Sequence, residues 1–131
     1  RGLREWFRAV VMKRKGRALS AKDMREFERL NRALEHDELH GEVVAGDSGI
    51  EYRMTRRFST PDSLLMPVVE ALARLISEED FTMVKQCEGH ACTLLFADHT
   101  RGHARRWCSM SVCGNRAKVA AHRKRLKDAN A

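Results

Sequence analysis

Cys87, Cys92, Cys108 and Cys113 are the residues whose type and spacing could do chemistry. They fall as C-x4-C, a 15-residue connection and a second C-x4-C. Two close pairs on a short connection suit a tetrahedral cation, because each pair supplies two thiolates from one turn. Two disulfides would use the same sulfurs but need an oxidising compartment, and nothing in the sequence signals secretion. Zinc is therefore the expected occupant. The x4 spacing lies at the loose end of the structural-zinc range, and His90, between the first two cysteines, could replace one of them as ligand. With four thiolates available, the all-cysteine set is the expected one. Such a set closes the coordination sphere, which predicts a structural ion and leaves no open position for catalysis.

All four cysteines lie in a basic tail. Residues 87–131 hold nine Lys/Arg against three Asp/Glu, whereas residues 1–86 hold 16 against 15. This asymmetry accounts for most of the net charge of +7 and points to a polyanionic partner, nucleic acid before an anionic membrane surface. A solvated tail is the plainer alternative. No stretch approaches the roughly 20 apolar residues of a membrane span, and no signal segment opens the chain. An apolar fraction of 43% is enough for a core, so wholesale disorder is not expected.

The elements that must position these residues can be read from periodicity. Leu3, Trp6, Phe7 and Val10 recur at helical spacing and predict a helix over 3–12, closed by a Lys/Arg run and Gly16. Ser20, with Asp23 three residues on, predicts an N-cap for a second helix carrying Met24, Phe27, Leu30 and Leu34. Over 42–54, Val43 and Val44 precede the Gly46-Asp47-Ser48-Gly49 turn, after which Ile50, Tyr52 and Met54 alternate with polar residues; this predicts a β-hairpin. Thr60-Pro61 predicts the start of a third helix with Leu64, Leu65, Val68, Val69, Leu72 and Leu75 on its apolar face. Pro67 marks a later start or a kink there, and the acidic run 77–80 reads as a linker.

Within the tail, residues 92–96 fit a short strand, 98–103 a loop, and a long helix runs from Ser109 or Val112 to Asp128. Val112, Val119 and Leu126 form a narrow seam on an otherwise basic surface. The second cysteine pair would sit at the helix N-terminus, where free amides favour thiolates. The fold class expected is mostly α with a minor β component: a helical domain with a small hairpin over 1–82, then a four-cysteine zinc finger over 83–131 ending in a long basic helix.

The stretch Arg105-Arg106-Trp107-Cys108-Ser109-Met110, followed by Cys113-Gly114-Asn115-Arg116 and Lys118, resembles the CGNR-type zinc finger, named for the run that starts at Cys113. Phe96 and Asp98 after the first pair fit the same pattern; Gly102 stands where Asn is more usual. The finger usually follows a mostly helical domain called ABATE, in bacterial proteins described as stress-induced transcription regulators. Residues 1–86 resemble that domain in the order of their elements. The resemblance implies DNA-binding regulation, and implies that the domain begins before Arg1, so a missing front part is expected.

The residues make their own case. A finger this small cannot bury enough surface alone, so a metal would supply its folding energy. Trp107 and Phe96 would form its little core, with base stacking the less favoured use of Trp107. Arg105, Arg106, Arg116, Lys118, His122, Arg123, Lys124 and Arg125 are then left as candidate nucleic-acid contacts, mostly to phosphate. Arg116 could instead tie the helix start to the loop near Asp98. Gly114 is expected to permit close packing against the metal or a strand, and Asn115 to bond a loop carbonyl.

No enzyme is expected: the chain has no P-loop, no G-x-G-x-x-G and no evident carboxylate pair, and His36, His40, His99 and His103 are scattered. The function expected is a cytoplasmic, nucleoid-associated transcription regulator that binds double-stranded DNA through structural zinc. The first domain would form a homodimer or sense a small-molecule effector. An RNA-binding module and a protein-interaction zinc module are the alternatives.

Overall fold

Phe7, Val10 and Val11 recur at three- and four-residue spacing and are buried, and they define the inner stripe of helix α1, Gly2–Arg14. The computed structural model that shows this describes residues 2–130. Lys13 and Arg14 occupy the last turn of α1, where cations complement the helix dipole. Two residues on, the Gly16 N–H donates to the Phe81 carbonyl at 2.8 Å.

The chain divides into two units: Ser20–Glu79, and the described residues of Arg1–Leu19 together with Asp80–Ala131. α1 therefore belongs with the cysteine-bearing segment. A second link within that unit is the Arg8 guanidinium, which donates to the Thr93 carbonyl at 2.9 Å.

In the Ser20–Glu79 unit, Asp23 Oδ2 accepts from the Ser20 N–H at 2.9 Å and from its hydroxyl at 3.1 Å, completing the expected cap. The element it starts is a 3-10 helix, Ala21–Glu26, and α2 begins only at Glu28 and runs to Leu34. That change of period corrects the single helical stripe expected there. Phe27 and Leu30 are buried, but Met24 is 51% exposed, because a three-residue turn rotates it off the inner face.

The same device recurs before the next helix. Thr60 Oγ1 accepts the Ser63 N–H and caps a 3-10 turn over Pro61–Leu65; α3 follows as Met66–Glu78 with Pro67 in its first turn. Pro67 thus marks the later start, where its missing N–H costs nothing. Met66 and Val69 are buried while Leu64, Leu65 and Val68 are exposed, so the apolar face is narrower than its sequence stripe. The acidic run also differs from expectation: Ser77 and Glu78 lie inside α3, and Asp80 caps the 3-10 turn Phe81–Met83 by accepting the Thr82 N–H at 2.9 Å.

Strands β1 (Leu39–Gly46) and β2 (Gly49–Arg56) pair antiparallel across a two-residue turn, with Val43 opposite Tyr52 and Ala45 opposite Ile50. At the far end of β2, Arg56 makes a bidentate pair with Asp37, at 2.6 and 2.9 Å, and reaches Glu70 of α3 at 2.7 Å. The Arg56 guanidinium holds the Asp37 carboxyl below its ordinary range. This pair ties hairpin to helix. The apolar alternation of the hairpin faces outward, with Val43 and Tyr52 each 70% exposed.

In the other unit β3 (Val84–Gln86) and β4 (Leu95–Ala97) form a second small antiparallel ladder; Val84 within it and Phe81 just before it are buried. A π-helical turn, Met110–Gly114, then runs directly into α4, Asn115–Ala129. The molecule is mostly α with a minor β part, as the sequence predicts; beside the expected hairpin, the strand expected over 92–96 is β4 at Leu95–Ala97 and pairs with β3, which was not expected. Among the described residues no helix is long and apolar enough to cross a membrane.

Candidate metal centre and basic helix

Cys87 directly follows β3, Cys92 follows the turn after it, Cys108 precedes the π-helical turn and Cys113 lies within that turn. The β3–β4 ladder and two further bonds close these segments on one another: Cys87 N–H to Leu94 O at 3.0 Å, and Glu88 N–H to Arg106 O at 3.0 Å. The four Sγ atoms lie within 4.8 Å of one another, and two of the separations are 3.7 Å (Cys92–Cys108) and 3.6 Å (Cys108–Cys113).

Those distances decide between the two uses of the cysteines. A disulfide needs sulfurs about 2.05 Å apart. Four thiolates about 2.3 Å from a tetrahedral zinc are about 3.8 Å from each other. All four thiols are free and spaced for the cation. His90 stands outside the cluster, which leaves the four cysteines as the ligand set.

The electrostatics agree. The Cys87 sulfur accepts backbone N–H groups of Cys108 (3.3 Å) and Gly89 (3.4 Å), which hold its thiol down to about 7. Cys113 is pushed up to about 12, by its contact with Cys108 and by burial. Sulfurs this close cannot all carry charge unless a cation sits between them, so the donor set itself calls for one. When bound, zinc would be held by Cys87, Cys92, Cys108 and Cys113 and would supply cross-linking of the finger.

Two glycines allow the approach. A Cβ on Gly89 would lie 3.0 Å from the Cys92 Cβ and 3.2 Å from the Cys113 sulfur. A Cβ on Gly114 would lie 2.3 Å from the Met110 sulfur and 3.0 Å from the Trp107 ring. Gly114 thus packs against the side chains of Met110 and Trp107, where the metal or a strand was expected. Asn115 Nδ2 donates to Ser111 O at 3.1 Å, a turn carbonyl next to the site.

Asp98 organises the loop that leads to Arg105. It is fully buried. Its carboxylate accepts Lys85 Nζ at 2.7 Å, the Thr100 N–H at 3.1 Å and hydroxyl at 2.6 Å, and the Arg105 N–H at 2.9 Å. The Lys85 ammonium, then Thr100, hold this carboxyl well below the usual range. The legible signal was Asp-x-Thr, the same turn that Asp80 and Thr82 make. With these partners Asp98 has no bond to Arg116, so the structural use considered for that arginine is not the one observed.

The candidate nucleic-acid residues separate into two groups. Arg105 donates to the Trp107 and Cys108 carbonyls and lies over the Phe96 ring at 4.5 Å. Arg106 pairs with Glu88 at 2.6 Å and covers the Trp107 ring at 4.9 Å. Both brace the finger. Arg116, Lys118, His122, Arg123, Lys124 and Arg125 all stand on α4, exposed, and among the described residues none of them has a hydrogen-bond or ion-pair partner. No residue of α4 is buried.

Grouping by space also sharpens the charge asymmetry. The unit containing α1 and the finger carries 17 Lys/Arg and five Asp/Glu, a net of +12; Ser20–Glu79 carries eight and 13, a net of −5. Reading along the chain hid this, because α1 brings a basic segment from the other end.

Residues 83–126 match the family model of the CGNR zinc finger. Residues 1–79 match the family model of ABATE, "Putative stress-induced transcription regulator". The second match covers more than half of the 131 residues, and the chain belongs to the ABATE family. No curated protein matches it.

Proposed function

We propose that the protein is a zinc-dependent transcription regulator that binds double-stranded DNA through α4 and acts at the nucleoid. The observation that carries this reading is an exposed, unpaired basic helix that continues from a metal-binding turn. An isolated helix of 15 residues is marginal in water, so α4 is poised to gain from a partner. Its width suits the major groove, and its charge suits phosphate. The family description supports the regulatory role. The closed thiolate set supports a binding protein and not an enzyme.

Anisotropy titrations of the zinc-loaded chain against random duplex DNA and duplex RNA, over a salt series, test this. DNA binding with a steep salt slope is expected. Replacing Lys118, Lys124 and Arg125 together by Ala should flatten that slope by about 2 to 3, near 0.9 per lost phosphate contact. Preference for RNA favours the RNA-binding alternative. No binding by folded, zinc-loaded protein sinks the reading and favours a protein-docking module.

The Ser20–Glu79 unit has its own buried residues, a net acidic charge and an outward apolar hairpin face. These support a homodimer or a small-molecule effector site there. Sedimentation of the whole chain should show a concentration-dependent dimer; a monomer throughout removes that part.

A further inference from the structure

The side of α4 that faces its own finger is short. Cys113 and Gly114 are buried, and Ala117 is the one residue of α4 that is partly shielded. At 100° per residue along α4, Val119 and Leu126 form a seam on the side away from Ala117, 48% and 52% exposed. Arg116 and Arg123 run along one edge of that seam. Together with Val112, Asn115 and Val119 they line an open groove of about 610 Å³. Lys118 and Arg125 run along the other edge, about 160° around the helix from those arginines.

This arrangement is not the evenly charged surface of a phosphate binder. Apolar methyls and two arginines share one outward groove, and a separate cation stripe flanks it. Resting on the DNA-binding reading above, we propose that the outward groove of α4 reads base edges in the major groove. Arg116, Val119 and Arg123 would set sequence preference, while Lys118 and Arg125 hold phosphate. Arg offers a fork to the O6 and N7 of guanine, and an exposed methyl suits the thymine methyl. Arg116 and Arg123 are seven residues apart, about 10.5 Å along the axis, close to three base-pair steps of about 3.4 Å. The preferred site therefore carries two guanines about three base pairs apart with a thymine near the middle.

Selection from a randomised duplex library by the zinc-loaded full chain tests this. Anisotropy against the selected and scrambled duplexes then gives the specificity ratio. Wild type should enrich the guanine-spaced site. Arg116→Lys and Arg123→Lys keep the charge but lose the fork. Each should reduce the ratio about 10- to 100-fold, with little change in affinity for random duplex or in salt slope. Lys118→Ala with Arg125→Ala should do the reverse, weakening all duplexes alike. Zinc content and circular dichroism establish that each variant is folded. Steep, salt-dependent duplex binding with no enriched site overturns the inference and leaves the DNA-binding reading standing. So does enrichment that survives both Lys variants. Absence of duplex binding overturns both together.

Discussion

Stripping the metal is expected to unfold the finger outright. Its buried side chains are few, Phe81, Val84, Cys87, Asp98 and Cys113, and Trp107 is only half-buried. Structural zinc in a small domain contributes about 10–16 kcal/mol of apparent binding energy, more than a core of this size can replace. Cys113→Ser should have nearly the same effect as chelation, because it removes one sulfur and leaves the other three crowded. Limited proteolysis of the full chain, with and without chelator, reads the result. Cleavage over 83–130 should rise by orders of magnitude when zinc leaves. A full chain that keeps its protease resistance and Trp107 environment without metal would show that the cysteines are not the finger's main support. The dependence on acid has a definite sign: each thiol must lose its proton to bind, so zinc affinity falls as pH falls.

The second large effect is expected at Asp98. Asp98→Ala leaves the Lys85 ammonium and the Arg105 N–H facing a gap where a fully buried carboxylate accepted both. The Lys85 ammonium is a third exposed and keeps part of its solvation, so the loss is that of hydrogen bonds to a charged group, about 1.5–3 kcal/mol. The loop to His103 should loosen with it, because Lys85 also donates to the His103 carbonyl. Denaturant unfolding of zinc-loaded wild type and variant measures the difference. Since the folded carboxyl is held below its ordinary value, its contribution is fully present above about pH 4 and is lost as pH falls below that. The gap between the proteins should therefore stay level as pH falls through the neutral range and close only in stronger acid. A difference within about 0.5 kcal/mol, an ordinary surface effect, would remove Asp98 from its central place.

Side-chain type and local spacing determined much of this protein. Four thiols in two x4 pairs implied one cation, because the ligand chemistry is carried by the residues themselves. Ser20 with Asp23 and Thr60 with Pro61 marked the starts of elements, because caps are made within three residues. The hairpin and the basic helix were legible from their period and composition. Only the tertiary structure decided matters set by contacts far apart in the chain. It placed α1 with the finger, through Arg8 to Thr93 and Gly16 to Phe81. It committed Arg105 and Arg106 to bracing, because their partners Phe96 and Glu88 arrive only when the finger closes. It buried Asp98 against Lys85, a pairing across the β3–β4 ladder. Arg56 likewise met Asp37 and Glu70 only when hairpin and helix came together. Composition marks α4 and these arginines alike as basic; what separates a free cation from a committed one is the partner that folding brings within about 3 Å.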